Sequence, residues 1–206
     1  MSKRRAIHER VLNATDVDEL SAAYAQWAET YDADLVDEMG YKAHRQVASA
    51  LREALDPEGS RLLDAGCGTG LVGLELARLG YQSIDGLDYS RDMLAQAASK
   101  KVYQAIMQGN LMASLDIATD CYDAVTCVGT FTLGHVGPSA FRELIRVVRP
   151  GGYVCFSVRD EAWQEDDYES SILSLASEGL WTVLGMHTAN YIEEEGSTCR
   201  VCLCQV

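Results

Sequence analysis

Residues 62–70 read LLDAGCGTG: an apolar run, an acid, then glycine at positions 66, 68 and 70. An apolar run that closes on alternate glycines reads as a short strand turning sharply into a helix, because glycine allows backbone angles and close approaches that a Cβ forbids. The helix is LVGLELARLG, ending on Gly80. Gly68, Gly70 and Gly73 complete G-x-G-x-x-G, and Asp88 lies eighteen residues beyond Gly70, at the end of the strand YQSIDGLDYS. Alone, that is a dinucleotide signature, in which glycines admit a pyrophosphate and the acid holds a ribose diol. The motif begins earlier, however, as Asp64-x-Gly66-x-Gly68-x-Gly70. A carboxylate at that place would repel a pyrophosphate and favour an ammonium group.

Downstream, the helix SRDMLAQAASKK leads to a third strand near VYQAIMQGN, ending at Asn110. A fourth strand, YDAVTCVGTF, precedes the helix of SAFRELIRVV, and Pro150-Gly151-Gly152 makes a turn into a fifth, YVCFSVRD. Strands separated by helices of about ten residues imply a parallel sheet with helices on both faces. After the polar loop EAWQEDDYE come the helix SSILSLASEG and two strands, near LWTVLGMHTANYI and STCRVCLCQV. Their short connection through Glu193–Gly196 makes them an antiparallel hairpin. Upstream, Val17, Leu20, Ala23, Tyr24 and Trp27 give a helical stripe near 16–30. A second helix runs from Tyr41 to Leu55 and stops before Asp56-Pro57-Glu58-Gly59. The whole reads as one domain over 1–206, with a helical cap in 1–57 and an α/β core in 58–206.

The net charge of −14 provides no basic footprint for phosphates, which argues against nucleic acid and anionic membrane partners. No run approaches the roughly 18 apolar residues of a membrane span, and MSKRRAIHERVLNATDVDEL lacks the apolar centre of a signal peptide. The odd count of seven cysteines suits reduced thiols and a cytoplasmic setting. Cys199, Cys202 and Cys204 have no second cysteine or histidine pair to complete a zinc set, so no metal is expected. In a strand, Cys202 and Cys204 share one face and Cys199 takes the other.

LLDAGCGTG, DGLDYS and ELIRVVRPGGYVCFSVR together resemble the class I S-adenosylmethionine-dependent methyltransferases. Within that family, VGTFTLGHVGPSAFRELIRVVRPGG resembles the methyltransferase-like protein of the Williams–Beuren syndrome region and its bacterial relatives. The resemblance implies a Rossmann-like, mostly parallel seven-stranded sheet closed by an antiparallel hairpin, and an N-terminal helical lid. It implies S-adenosyl-L-methionine as cofactor and S-adenosyl-L-homocysteine as product. Gly66, Gly68 and Gly70 would then let the backbone pass against the methionyl part. Asp64 would face its ammonium, directly or through water, and Asp88 would accept both ribose hydroxyls. Tyr89 and Met93 would lie beside the adenine, with Asn110 and Leu111 at its edge, although many relatives carry aspartate at Asn110. Cys67 contributes backbone, and Gly129 and Thr130 complete the cofactor set.

Methyl transfer needs an acceptor lone pair in line with the breaking bond, and a dry, well-positioned site. A general base is needed only for an acceptor that arrives protonated. His135, after the fourth strand, is the candidate; the alternative is a loop histidine that shapes the pocket. His44, on the Tyr41–Leu55 helix, reads as a surface residue, and Arg45 as a solvated arginine rather than a partner of the cofactor carboxylate. Tyr24, Trp27 and Tyr31 either form an aromatic lid or pack the helix onto the sheet. Phe131 and Arg159 are placed at the acceptor side, and the acids Glu161, Glu165, Asp166 and Asp167 as a solvated face. GTFT follows the fourth strand where many nucleic-acid and glutamine methylating enzymes carry an Asn/Asp-Pro-Pro run, so a small-molecule acceptor is favoured, with oxygen, nitrogen and sulfur all open. Two rivals stand: a non-catalytic cofactor-binding protein and an NAD-dependent oxidoreductase. The sequence fixes no oligomeric state.

Overall fold

The computed structural model describes Arg10, Ala23, Gln26, Trp27, residues 30–133 and residues 136–206. Seven strands form one sheet: β1 Arg61–Ala65, β2 Ser83–Asp88, β3 Ala105–Gln108, β4 Tyr122–Phe131, β5 Val148–Arg159, β6 Thr182–Ile192 and β7 Ser197–Gln205. Their order is β3-β2-β1-β4-β5-β7-β6. The first five pair in parallel, whereas β7 runs antiparallel to both β5 and β6. From β1 the chain builds outward to β3, then returns to β4 on the other side. That reversal opens a crevice at the carboxyl ends of β1 and β4, where open α/β sheets bind ligands.

Six α-helices are described, α1 Ala43–Ala54, α2 Leu71–Arg78, α3 Arg91–Ser99, α4 Phe141–Val147, α5 Asp160–Glu165 and α6 Tyr168–Ser177, with a π-helix at Ala33–Glu38 and a 3-10 helix at Pro138–Ala140. The alternation of the strands sorts the core into two layers. Leu62, Cys155, Cys199 and Val201 pack with α1, α2 and the segment 35–41, whereas Leu63, Phe156, Cys202 and Cys204 pack with α4, α5 and α6. On α1 the buried Ala43, His44, Val47, Ala48 and Leu51 form one stripe at helical spacing. Ser90 caps α3 by accepting from Met93 N at 3.4 Å.

Three expectations are corrected. Pro150-Gly151-Gly152 is not a turn before β5 but a bulge inside it, since Tyr122 pairs with Val148 and Ala124 with Tyr153. Proline has no N–H for a ladder, and a bulge is where a strand tolerates it. The stretch EAWQEDDYE is helical, not a loop: Ala162 and Tyr168 are fully buried, and the Tyr168 hydroxyl donates to Val136 O at 2.5 Å. His44 is buried rather than on the surface, stacked on Tyr41 at 5.1 Å. Arg45 is exposed, as expected. The stripe near 16–30 lies mostly outside the described residues.

Candidate active site

The crevice holds a cavity of about 240 Å³, walled by the glycine turn, the ends of β2 and β4, the start of α3 and Tyr31 and Tyr41 from the cap. Asp88 is the only charged side chain among its described lining residues. One carboxylate oxygen accepts from Gly68 N at 2.8 Å and the other from Ser90 N at 2.9 Å. A carboxylate has about four lone-pair sites, so acceptor capacity remains for a ligand. Burial pushes the pKa of this acid up, and the two backbone donors oppose that.

Two glycines of the turn have different physical tasks. At Gly66 (φ +72°) a Cβ would lie 2.2 Å from the Thr130 hydroxyl, so the turn presses directly on the end of β4. At Gly68 a Cβ would meet nothing within 4 Å, which leaves bare backbone facing the open crevice.

Asp64 does not line the cavity. It is fully buried beneath the turn, accepting from the Tyr103 hydroxyl at 2.7 Å and the Thr126 hydroxyl at 3.1 Å. Burial raises its pKa to about 6 against the pull of those bonds. Tyr103 escaped the sequence reading, yet it explains the third glycine of G-x-G-x-x-G. A Cβ on Gly73 would sit 2.4 Å from the ring carbon Cζ and the hydroxyl of Tyr103. The third glycine thus makes room for a tyrosine packed between α2 and the sheet.

Gly66, Cys67, Gly68, Tyr89, Met93, Asn110, Leu111, Gly129, Thr130 and Tyr31 all reach the cavity, as Asp88 does. Gly70, in the left-handed region at φ +94°, is not on the wall and caps the start of α2 instead. Asn110 Oδ1 already accepts from Met112 N at 2.9 Å. The Cys67 thiol is buried beside Asp64 and Asp88, and its pKa is driven far above the usual thiol range, so it is no nucleophile.

Other candidates fall elsewhere. Phe131 is fully buried, edge-on to Phe141, Phe156 and Tyr168, and does not line the cavity; Thr130 lines it while its strand neighbour turns to the core. Arg159 is not on the wall either. It pairs with Glu161 at 2.9 Å and Glu195 at 3.1 Å, joining α5 to the hairpin tip. Trp27 is buried, donates from Nε1 to Asp34 at 2.8 Å and stands edge-on to Tyr31 at 4.8 Å, so it packs the cap rather than forming the cavity. Tyr24 and His135 lie outside the described residues. Tyr41 is a lining residue the sequence did not single out, with its hydroxyl 3.0 Å from where a Cβ on Gly129 would stand. Behind it, burial lowers the His44 pKa to about 4, so that imidazole is neutral near pH 7. Among the described residues no cluster of three metal-ligating side chains forms, and no helix is long and apolar enough to cross a membrane.

The geometry has counterparts among known proteins. Residues 63–156 match a family described as a methyltransferase domain. The chain is 34% identical to human methyltransferase-like protein 27 over 77% of this chain and 66% of that protein. It is 38% identical to a ubiquinone biosynthesis O-methyltransferase of Alkalilimnicola ehrlichii, over 48% of this chain and 42% of that one. The match thus spans about two-fifths to two-thirds of the length of these curated relatives. A solved structure from Leishmania major, described as an S-adenosylmethionine-dependent methyltransferase, shares the fold with a TM-score of 0.69 at 13% identity, covering 97% of this chain and 89% of that one.

Proposed function

Because the chain belongs to the class I S-adenosylmethionine-dependent methyltransferase family, we propose that it transfers the methyl group of S-adenosylmethionine to a small-molecule acceptor. The observation that carries this reading is the Asp88 carboxylate, anchored by two backbone donors beside the bare backbone of Gly68. A single negative charge in an otherwise neutral cavity suits a cationic nucleoside and disfavours a pyrophosphate. Asp88 would hold the ribose, Met93 and Leu111 would bury the base, and Gly66 and Gly68 would pass against the amino-acid portion. Bound there, the cofactor supplies an electrophilic methyl on a positively charged sulfur.

The chain's own contribution is positional. Leu87, Met93, Leu111 and Val128 give the cavity apolar walls that exclude water, and Tyr31 and Tyr41 line it from the cap. His135 is assigned to take a proton from an acceptor that arrives protonated. If the His135→Ala variant kept the wild-type rate from pH 5 to 8, that role would be lost. The acidic net charge and the name of the ubiquinone biosynthesis relative support a small acceptor, and the seven free thiols suit a cytoplasmic setting.

A melting series tests the reading. At 100 times its dissociation constant a ligand stabilises the fold by about 2.7 kcal/mol. S-adenosylmethionine and S-adenosylhomocysteine should raise the melting temperature and NAD should not; the opposite pattern sinks the proposal. Asp88→Ala should weaken binding more than about tenfold, because it removes a charged hydrogen-bonding partner.

A further inference from the structure

The cap is joined to the glycine turn by charge. Asp32 follows Tyr31, which lines the cavity. Its Oδ2 lies 2.6 Å from Lys100 Nζ, and its Oδ1 accepts from the Thr69 hydroxyl at 2.5 Å. Lys100, the residue that ends α3, also donates to the Thr69 carbonyl at 2.5 Å. One ammonium therefore ties together the cap, the residue after Gly68 and the end of α3. It is well shielded for a lysine: its side chain is 12% exposed, against 37% for Asp32.

The other end of the cap is held differently. Lys42 N donates to Tyr191 O, Glu193 N to Gly40 O and Glu194 N to Met39 O, and Tyr41 bridges Ile192. These are main-chain ties to the tip of the β6–β7 hairpin. Gly40, at φ +73°, sits within them and allows a bend that other residues resist. The segment thus has a main-chain anchor at 39–42 and a side-chain fastening at 32, with a cavity-lining aromatic next to the fastening.

We propose that Lys100 is a positioning residue: with Asp32 and Thr69 it forms a latch that keeps the Tyr31 end of the cap across the cavity and sets how long a bound nucleoside stays. This rests on reading the cavity as the S-adenosylmethionine site. Release requires the ion pair to open, so dissociation is slow while the latch holds and quickens when the pair is removed or screened. Neither residue need touch the ligand. Lys100 acts through Thr69 and Asp32, and it also fixes the carbonyl of the turn whose Gly68 N–H holds Asp88.

The test uses the full chain and S-adenosylhomocysteine as probe, with dissociation followed by stopped-flow displacement. Asp32→Asn and Lys100→Met should each raise the dissociation rate about 3- to 10-fold, the range of a charged hydrogen bond in partial shelter. The double variant should be no faster than Lys100→Met alone, because the lysine change already removes the ion pair. Lys100→Arg should restore most of the retention, and Thr69→Val, which leaves the ion pair intact, should give a smaller increase. Raising salt from about 0.05 to about 0.5 M should speed release from the wild type only slightly, because a sheltered pair is screened less than an exposed one, and should leave the double variant unchanged. A merely structural lysine would change the melting temperature without these kinetic effects. Additive rates in the double variant, or unchanged dissociation in folded single variants, would overturn the latch alone. Failure of the wild type to bind the probe would overturn the cofactor reading as well.

Discussion

Gly70, Gly73 and Gly86 each give up a side chain to one phenol ring, and that ring holds the acid at the end of β1. Gly73→Ala would drive a methyl into Tyr103 at 2.4 Å. Overpacking of this kind costs about 1–3 kcal/mol, so urea unfolding should show a loss in that range, and an unchanged midpoint would mean the ring moves freely. Asp64 offers a pH test. Its folded pKa of about 6 stands above the ordinary aspartate value of 3.8, chiefly because burial disfavours the charged form. A raised folded pKa means the folded state holds the proton more tightly, so this group's contribution is full below pH 4 and is lost as pH rises through 6. The stability of the wild type minus that of Asp64→Asn should therefore fall between pH 4 and 6 and stay flat above. A flat difference across the window would show that the acid is not desolvated. Local spacing made the strand–turn–helix and the place of Asp88 legible in the sequence, whereas Asp64, expected to face the ligand, lies beneath the turn. Tyr103 was not legible, because its partner lies 39 residues away, and no short-range pattern records a contact closed by the sheet.

At the level of elements, apolar runs were legible and polar disguises were not. β4 and the β6–β7 hairpin lie where their branched and aromatic residues put them, and α1 runs close to its expected span. The alternation that assigns Cys202 and Cys204 to one layer and Cys199 to the other follows from the two-residue period of any strand. The acid-rich EAWQEDDYE hid two helices, because Ala162 and Tyr168 carry the burial while the charges face water. Pro150-Gly151-Gly152 has the composition of a turn, and only the pairing of β4 with β5 makes it a bulge. A Cβ on Gly152 would lie 2.5 Å from the Asp123 carbonyl and 2.9 Å from that of Arg149. Backbone cannot step aside as a flexible side chain can, so Gly152→Ala should cost about 2–3 kcal/mol, at the upper end for overpacking. Equal stability of the two proteins in chemical denaturation would argue that the bulge relaxes.

Across the whole molecule, the odd cysteine count is explained by burial rather than by bridges. All seven thiols are free, and Cys121 is the one not buried. Burial drives the others upward in pKa, Cys199 and Cys204 to about 12, so they are neither accessible nor ionised. A thiol-titrating disulfide reagent should find one fast-reacting group in the native protein and seven after denaturation; a second fast group would reveal an opening of the core. The sheet order carries a different consequence, for synthesis. β7 lies between β5 and β6, and β6 hydrogen-bonds to no strand but β7 among those described. β6 leaves the ribosome first, with Leu184 and Met186 on its surface. Until β7 emerges, its ladder groups have only water, or another nascent chain, for company. At roughly 5–20 residues per second that delay is short, but it is the interval in which a holding chaperone would protect this chain most.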